Sequence, residues 1–90
     1  MPSGRPLAYR HYTYTELEEG ITLEPPEDAV VAYVHAEYGA VRWLNDETPT
    51  KSEGFPLDTS WHDSFDIDLG RLSFVAAEKD AQLSVYYFGS

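Results

Sequence analysis

Turn-forming residues punctuate this chain about every 8–12 residues, the spacing of a small antiparallel β-sandwich or β-barrel. The breaks fall at Glu18-Glu19-Gly20, at Pro25-Pro26, around Gly39, across 45–54, at Gly70-Arg71 and at Glu78-Lys79-Asp80. Residues 64–69 are the clearest strand: Phe65, Ile67 and Leu69 point one way, and Ser64, Asp66 and Asp68 the other. Residues 29–36 are apolar on both faces, with Val31 and Tyr33 opposite Val30, Ala32 and Val34, which marks a central strand. Its β-branched valines and flanking turns favour strand over helix. Glu37-Tyr38-Gly39-Ala40 reads as a tight hairpin turn, with Gly39 supplying a positive φ, and 41–44 as the return strand. Residues 7–17 form a Tyr/Thr-rich strand with Tyr12 and Tyr14 on one face and Thr13 and Thr15 on the other. Short runs at 21–23, 55–57, 72–76 and 81–88 complete about seven or eight strands, with no helix. The expectation is an all-β fold, a small antiparallel β-sandwich or β-barrel of jelly-roll-like form. Residues 1–8, with Pro2, Gly4 and Pro6, read as an extended N-terminal arm, and 9–90 as one domain.

Ninety residues bury only about 60–65% of their unfolded surface, so a stability of about 5–10 kcal/mol is expected. No cysteine is present to add a disulfide, so packing or partner subunits must supply the rest. No apolar run approaches the roughly 18–20 residues of a membrane span, which argues against a membrane partner. The first residues lack the apolar centre of a signal peptide, so synthesis in the cytoplasm is the default. The net charge of −10, from 16 acids against 6 bases, repels phosphate backbones and argues against nucleic acid as a partner. The charge is uneven: residues 1–11 hold Arg5 and Arg10 and no acid. Either the chain simply starts with two bases, or a basic arm docks on an acidic neighbour.

Catalytic patterns are missing. Asp63, Asp66 and Asp68 invite a calcium reading, but the segment lacks the glycine-bearing loop that wraps the ion. An acidic solvent face that discourages edge-to-edge pairing explains them equally. His11, His35 and His62 have no second histidine at metal-binding spacing, and His35 sits in an apolar strand. No nucleophile elbow and no phosphate-binding glycine loop occurs. The expectation is therefore no catalytic residue, no metal and no cofactor. Trp43 and Trp61 either stack a sugar, with Asp58 and Asp63 beside them, or serve as core and end cover. Trp61, between Ser60 and His62, is the better surface candidate.

The aromatics carry the stronger signal. If Leu83, Val85 and Tyr87 face the core, Tyr86 and Phe88 face outward, and Tyr12 and Tyr14 pose the same problem. A thin sandwich cannot bury seven Tyr, four Phe and two Trp in one core, and exposed aromatic stripes mark protein contacts. A closed barrel with both faces internal is the other reading. The candidate interface residues are Arg5, Arg10, Tyr12, Tyr14, Trp61, Tyr86 and Phe88.

The segments AEYGAVRW (36–43), NDETPT (45–50), EGFPL (53–57) and LGRLSFVAAEKDAQLSVYY (69–87) follow one another in an order that resembles small structural proteins of tailed bacteriophages. The likeness covers about three quarters of the chain. It departs after Trp43, where Asn45-Asp46-Glu47 replaces the glycine turn of the pattern, and it omits residues 1–20. The resemblance implies a non-enzymatic virion component, a capsid decoration or cement protein on the outside of the shell, or a neck or tail accessory protein. Its partners would be the major capsid protein or other virion proteins, and copies of itself, as in a trimer.

Overall fold

The computed structural model describes residues 5–60, 62–66 and 68–90. Its elements in order are β1 (Pro6–Tyr12), α1 (Tyr14–Glu19), β2 (Ile21–Thr22), β3 (Ala29–Glu37), β4 (Val41–Asn45), β5 (Phe55–Leu57), β6 (His62–Phe65), a 3-10 turn at Leu69–Arg71, β7 (Leu72–Ala76) and β8 (Gln82–Gly89). The strands make two antiparallel four-stranded sheets, the first ordered β1-β8-β3-β6 and the second β2-β7-β4-β5. Pairing is nested: β1 joins β8, β2 joins β7, β3 joins β6 and β4 joins β5. This wrapping is that of an eight-stranded jelly roll, the sandwich form of the expected all-β fold.

The inner faces meet in one core of Leu17, Leu23, Ala32, Val34, Ala36, Val41, Leu57, Phe65, Leu72, Phe74, Leu83, Val85 and Tyr87. Phe74 is fully buried, and burying a side chain of that size contributes about 1.5–3 kcal/mol. β3 is central, between β8 and β6, as its two apolar faces predict. Trp43 packs against the core, its ring 4.7 Å from Phe65 and 5.1 Å from Phe55.

The segment after β3 corrects the hairpin expectation. β3 and β4 lie in different sheets, so residues 38–40 arch over the core rather than close a hairpin. Two successive strands with apolar inner faces bury them best against one another, across the sandwich. The positive φ falls on Tyr38, at 66°. Gly39 is required instead by close approach, since a Cβ there would lie 3.2 Å from Ala81 and the Lys79 carbonyl.

The N-terminal expectations change more. Residues 6–8 are not a free arm: they open β1 and pair with β8, Pro6 opposite Phe88 and Ala8 opposite Tyr87. The predicted strand at 7–17 ends at Tyr12, and α1 follows. Its signal is a capping box. Thr13 accepts from the Glu16 amide and the Glu16 carboxylate accepts from the Thr13 amide at 3.0 Å. Leu17, on this six-residue helix, is fully buried. The alternating strand predicted at 64–69 is shifted: β6 runs from His62 to Phe65, and Asp68 takes a left-handed conformation before the 3-10 turn. Phe65 and Leu69 are buried as expected, while Ile67 lies outside the described residues.

The two outer faces differ. On the second sheet the loop 46–54 folds back over the strands. Arg42, opposite Val75, donates to the carbonyls of Lys51 at 3.1 Å and Gly54 at 2.8 Å. Val75 and Ser73 are buried although the strand register points them away from the core. Among the described residues, no such loop covers the first sheet.

Candidate functional site

The register of the first sheet fixes what its open face presents. One row reads Tyr9, Tyr86, Tyr33, Ser64; the next reads His11, Ser84, His35, His62; Gln82 and Glu37 follow, and Phe88 and Val31 lie on the other side. The aromatic half is continuous. Tyr9 meets Tyr86 edge to face with ring centres 6.0 Å apart, Tyr86 meets Phe88 at 4.8 Å, and Phe88 meets Tyr33 at 5.3 Å. Tyr9 is 60% and Tyr86 42% exposed. Where the aromatic and histidine rows join, a shallow groove of about 400 Å³ is lined by Tyr9, Tyr33, His35, His62, Ser84 and Tyr86. Glu37 is the one carboxylate on these rows, and no Lys or Arg stands on them, in a chain of net charge −10.

A hydrogen-bond network sets the polar half. Ser84 donates to the Glu37 carboxylate at 2.7 Å, and the Tyr9 hydroxyl lies 3.0 Å from the Ser84 oxygen, which is left to accept. His11 Nε2 lies 2.7 Å from the Gln82 amide oxygen, where it donates, and His11 Nδ1 is 3.2 Å from Ser84. Serine, histidine and glutamate thus meet in space though they are far apart in sequence. They are not wired for nucleophilic attack, because the Ser84 proton is held by Glu37 rather than handed to His11. The network locks rings and hydroxyls in place on an open sheet.

The sequence candidates separate into two groups. Tyr86 and Phe88 stand on the open face as expected. Tyr12 does not: it is 3% exposed and belongs to the core, and burial raises its phenol above the usual range, against the opposing charge of Arg10. It faces inward because β1 places Tyr9 and His11 outward and the residues that alternate with them inward, Tyr12 opposite buried Leu83. Tyr14 is not on a strand with Tyr12 but on α1, half-buried, its hydroxyl 3.3 Å from Glu18. Arg10 is exposed but engaged with its own chain, 3.6 Å from Glu16 and 4.7 Å above the Tyr12 ring. Arg5 is exposed, and its carbonyl accepts from the Gly89 amide at 2.9 Å. Trp61 lies outside the described residues.

Sequence reading missed Tyr9 and Tyr33. Their signal was period-two spacing from His11 and His35, which becomes a face only once the register is known.

Arg10 on β1 and Asp63 on β6 share the register of inward-facing Val85 and Val34, yet sit on the two edge strands of the sheet. Inward-pointing charges on edge strands discourage strand addition. β1 also opens on Pro6 and carries a register shift between Pro6 and Ala8. The edges are thus guarded while the face is open.

Among the described residues, no group of three or more His, Asp or Glu side chains converges on a point that a metal ion would occupy. Among the same residues, no helix is long and apolar enough to cross a membrane. Compared with protein-family models, curated proteins and solved structures, the chain matches none of them.

Proposed function

We propose that this chain is a non-enzymatic structural protein of a phage virion, a decoration or cement protein that binds the major capsid protein shell through the outer face of its first sheet. The observation that carries the reading is the asymmetry of the two sheets. One outer face is covered by its own loop, pinned by Arg42, and the other leaves Tyr9 and Tyr86 exposed, with Tyr33 and Phe88 half-buried beside them. Aromatic side chains flanked by fixed polar groups are the composition of protein interfaces. A neutral face on an acidic body suits lateral contact on the outside of a shell, away from packaged DNA. Jelly rolls recur in capsid proteins, but also in lectins and cupins, so the fold alone assigns nothing. The test is the copy number of the chain in purified particles. On the order of hundreds of copies fits the shell, and a ring of about six or twelve would move it to the neck or tail.

A second reading, a carbohydrate-binding module, has one observation in its favour. The groove sets Tyr9, Tyr33 and Tyr86 beside the polar groups of Ser84, His35 and His62, a pairing of ring faces and hydrogen-bonding groups that suits a sugar. Trp43 is not part of it, since it packs in the second sheet against Phe55 and Phe65. Glycan binding lost on Tyr86→Ala would favour this reading over the first.

A further inference from the structure

All three histidines of the chain stand in one row across the first sheet, and they are not equivalent. We propose that two of them, His35 and His62, form a surface site for a borderline divalent transition metal: Cu²⁺, Ni²⁺ or Zn²⁺. They are direct cross-strand partners between β3 and β6, so their side chains rise from neighbouring points on one face. Their ring centres are 4.9 Å apart, with the planes tilted by 40°.

That separation suits a shared ion. With metal–nitrogen bonds of about 2.0–2.1 Å, each ring centre sits about 3.2 Å from the ion, and the observed separation then corresponds to a nitrogen–metal–nitrogen angle of about 100°. This lies between square and tetrahedral values. One ring is also prepared electronically. His35 Nε2 lies 3.1 Å from the Thr59 carbonyl, which only accepts, so Nε2 carries the proton and Nδ1 keeps its lone pair. A backbone carbonyl that takes the far N–H is the usual support of a metal-ligating histidine.

Access and field agree. Both histidines line the open groove on the sheet. On its other side His62 borders a second recess lined by Asp58 and Asp63, whose charge draws cations to this corner. The remaining coordination positions are left to water or to a donor from a bound neighbour. His11, at the far end of the same row, is the internal contrast, because both its nitrogens already face Ser84 and Gln82.

The test uses the full, untagged chain at pH 7.5, titrated in turn with Cu²⁺, Ni²⁺ and Zn²⁺ by calorimetry. One equivalent binds, with Cu²⁺ the tightest of the three. His35→Ala and His62→Ala each weaken binding by about tenfold or more, the scale on which metal sites respond to lost support. His11→Ala leaves it unchanged. Circular dichroism of each variant checks that the sandwich is intact. Equal affinity in the wild type and the His35→Ala/His62→Ala double variant, meaning adventitious metal only, would overturn the proposal. So would a loss on His11→Ala as large as on the other two. Neither result bears on the capsid reading, which does not depend on the metal.

Discussion

Arg42 donates through Nη1 to the carbonyl of Gly54 at 2.8 Å, and this bond ties the loop after β4 to the strand it left. Nε holds the Lys51 carbonyl in the same way. The loop closes on itself where the amides and carbonyls of Thr50 and Glu53 pair, with the Thr50 hydroxyl accepting from Ser52 and Glu53. Arg42, Thr50 and Gly54 thus form one structural unit.

Gly54 has φ of 126°, and a Cβ there would sit 2.9 Å from the Pro49 side chain and 3.1 Å from the Trp43 carbonyl. Gly54→Ala is therefore expected to lower stability by about 1–3 kcal/mol. Arg42→Met keeps the apolar stem, loses both carbonyl contacts and costs about 1–2 kcal/mol. Urea denaturation measures both, and a neutral result for either would detach the loop from the fold's stability.

Tyr12 and Tyr86 separate core from surface. Tyr12→Ser opens a cavity in the core and is expected to cost about 3–5 kcal/mol, much of the chain's stability. Tyr86→Ser, at a 42% exposed site, changes the midpoint by no more than about 0.5 kcal/mol. Equal destabilisation by the two would contradict the assignment of the faces.

The Tyr87 hydroxyl is buried without a hydrogen-bond partner. Burial pushes its phenol up to about 12; the Glu24 backbone acts in the opposite sense, although its contact falls short of a hydrogen bond. Tyr87→Phe removes a buried unpaired group and should stabilise the chain by about 1 kcal/mol. The raised value means that the unfolded chain ionises first. The stability Tyr87 contributes is full below pH 10 and is lost as pH rises towards 12. A smaller alkaline loss of stability in Tyr87→Phe than in wild type checks the sign, since buried Tyr12 remains in both, and destabilisation of the variant would show that the hydroxyl has a partner.

At the other end of the scale stands Glu16. The Thr13 amide holds its carboxyl below the ordinary carboxylate range. Its contribution is present above that range and is lost as pH falls through the lowered value. Thr13→Ala should cost about 1 kcal/mol at neutral pH and less in acid, where the reciprocal bond is already gone. An undiminished penalty at low pH would mean that the two halves of the capping box act independently.

Much of the fold was legible because period-two alternation reports a half-buried strand directly. Leu83, Val85 and Tyr87 face inward and Tyr86 and Phe88 outward as the pattern says. The helix was hidden because six residues carry no helical periodicity, and Thr13-x-x-Glu16 was its one signal. The jelly-roll wrapping followed from strand count and spacing only as a class. Which strands pair is decided across the core, by contacts such as Phe65 with Trp43 and Phe74. The open face was half legible for the same reason. Tyr9, Tyr33 and the three histidines become neighbours only through the register of β1, β8, β3 and β6, a relation between segments that no single segment encodes.

The central claim, that the open face of the first sheet is where the chain docks, is tested most directly by loading particles with the Tyr9→Ser/Tyr86→Ser double variant and counting copies by quantitative mass spectrometry. The account predicts a chain as stable as wild type whose occupancy falls by about tenfold or more. Full occupancy by the folded variant would contradict it.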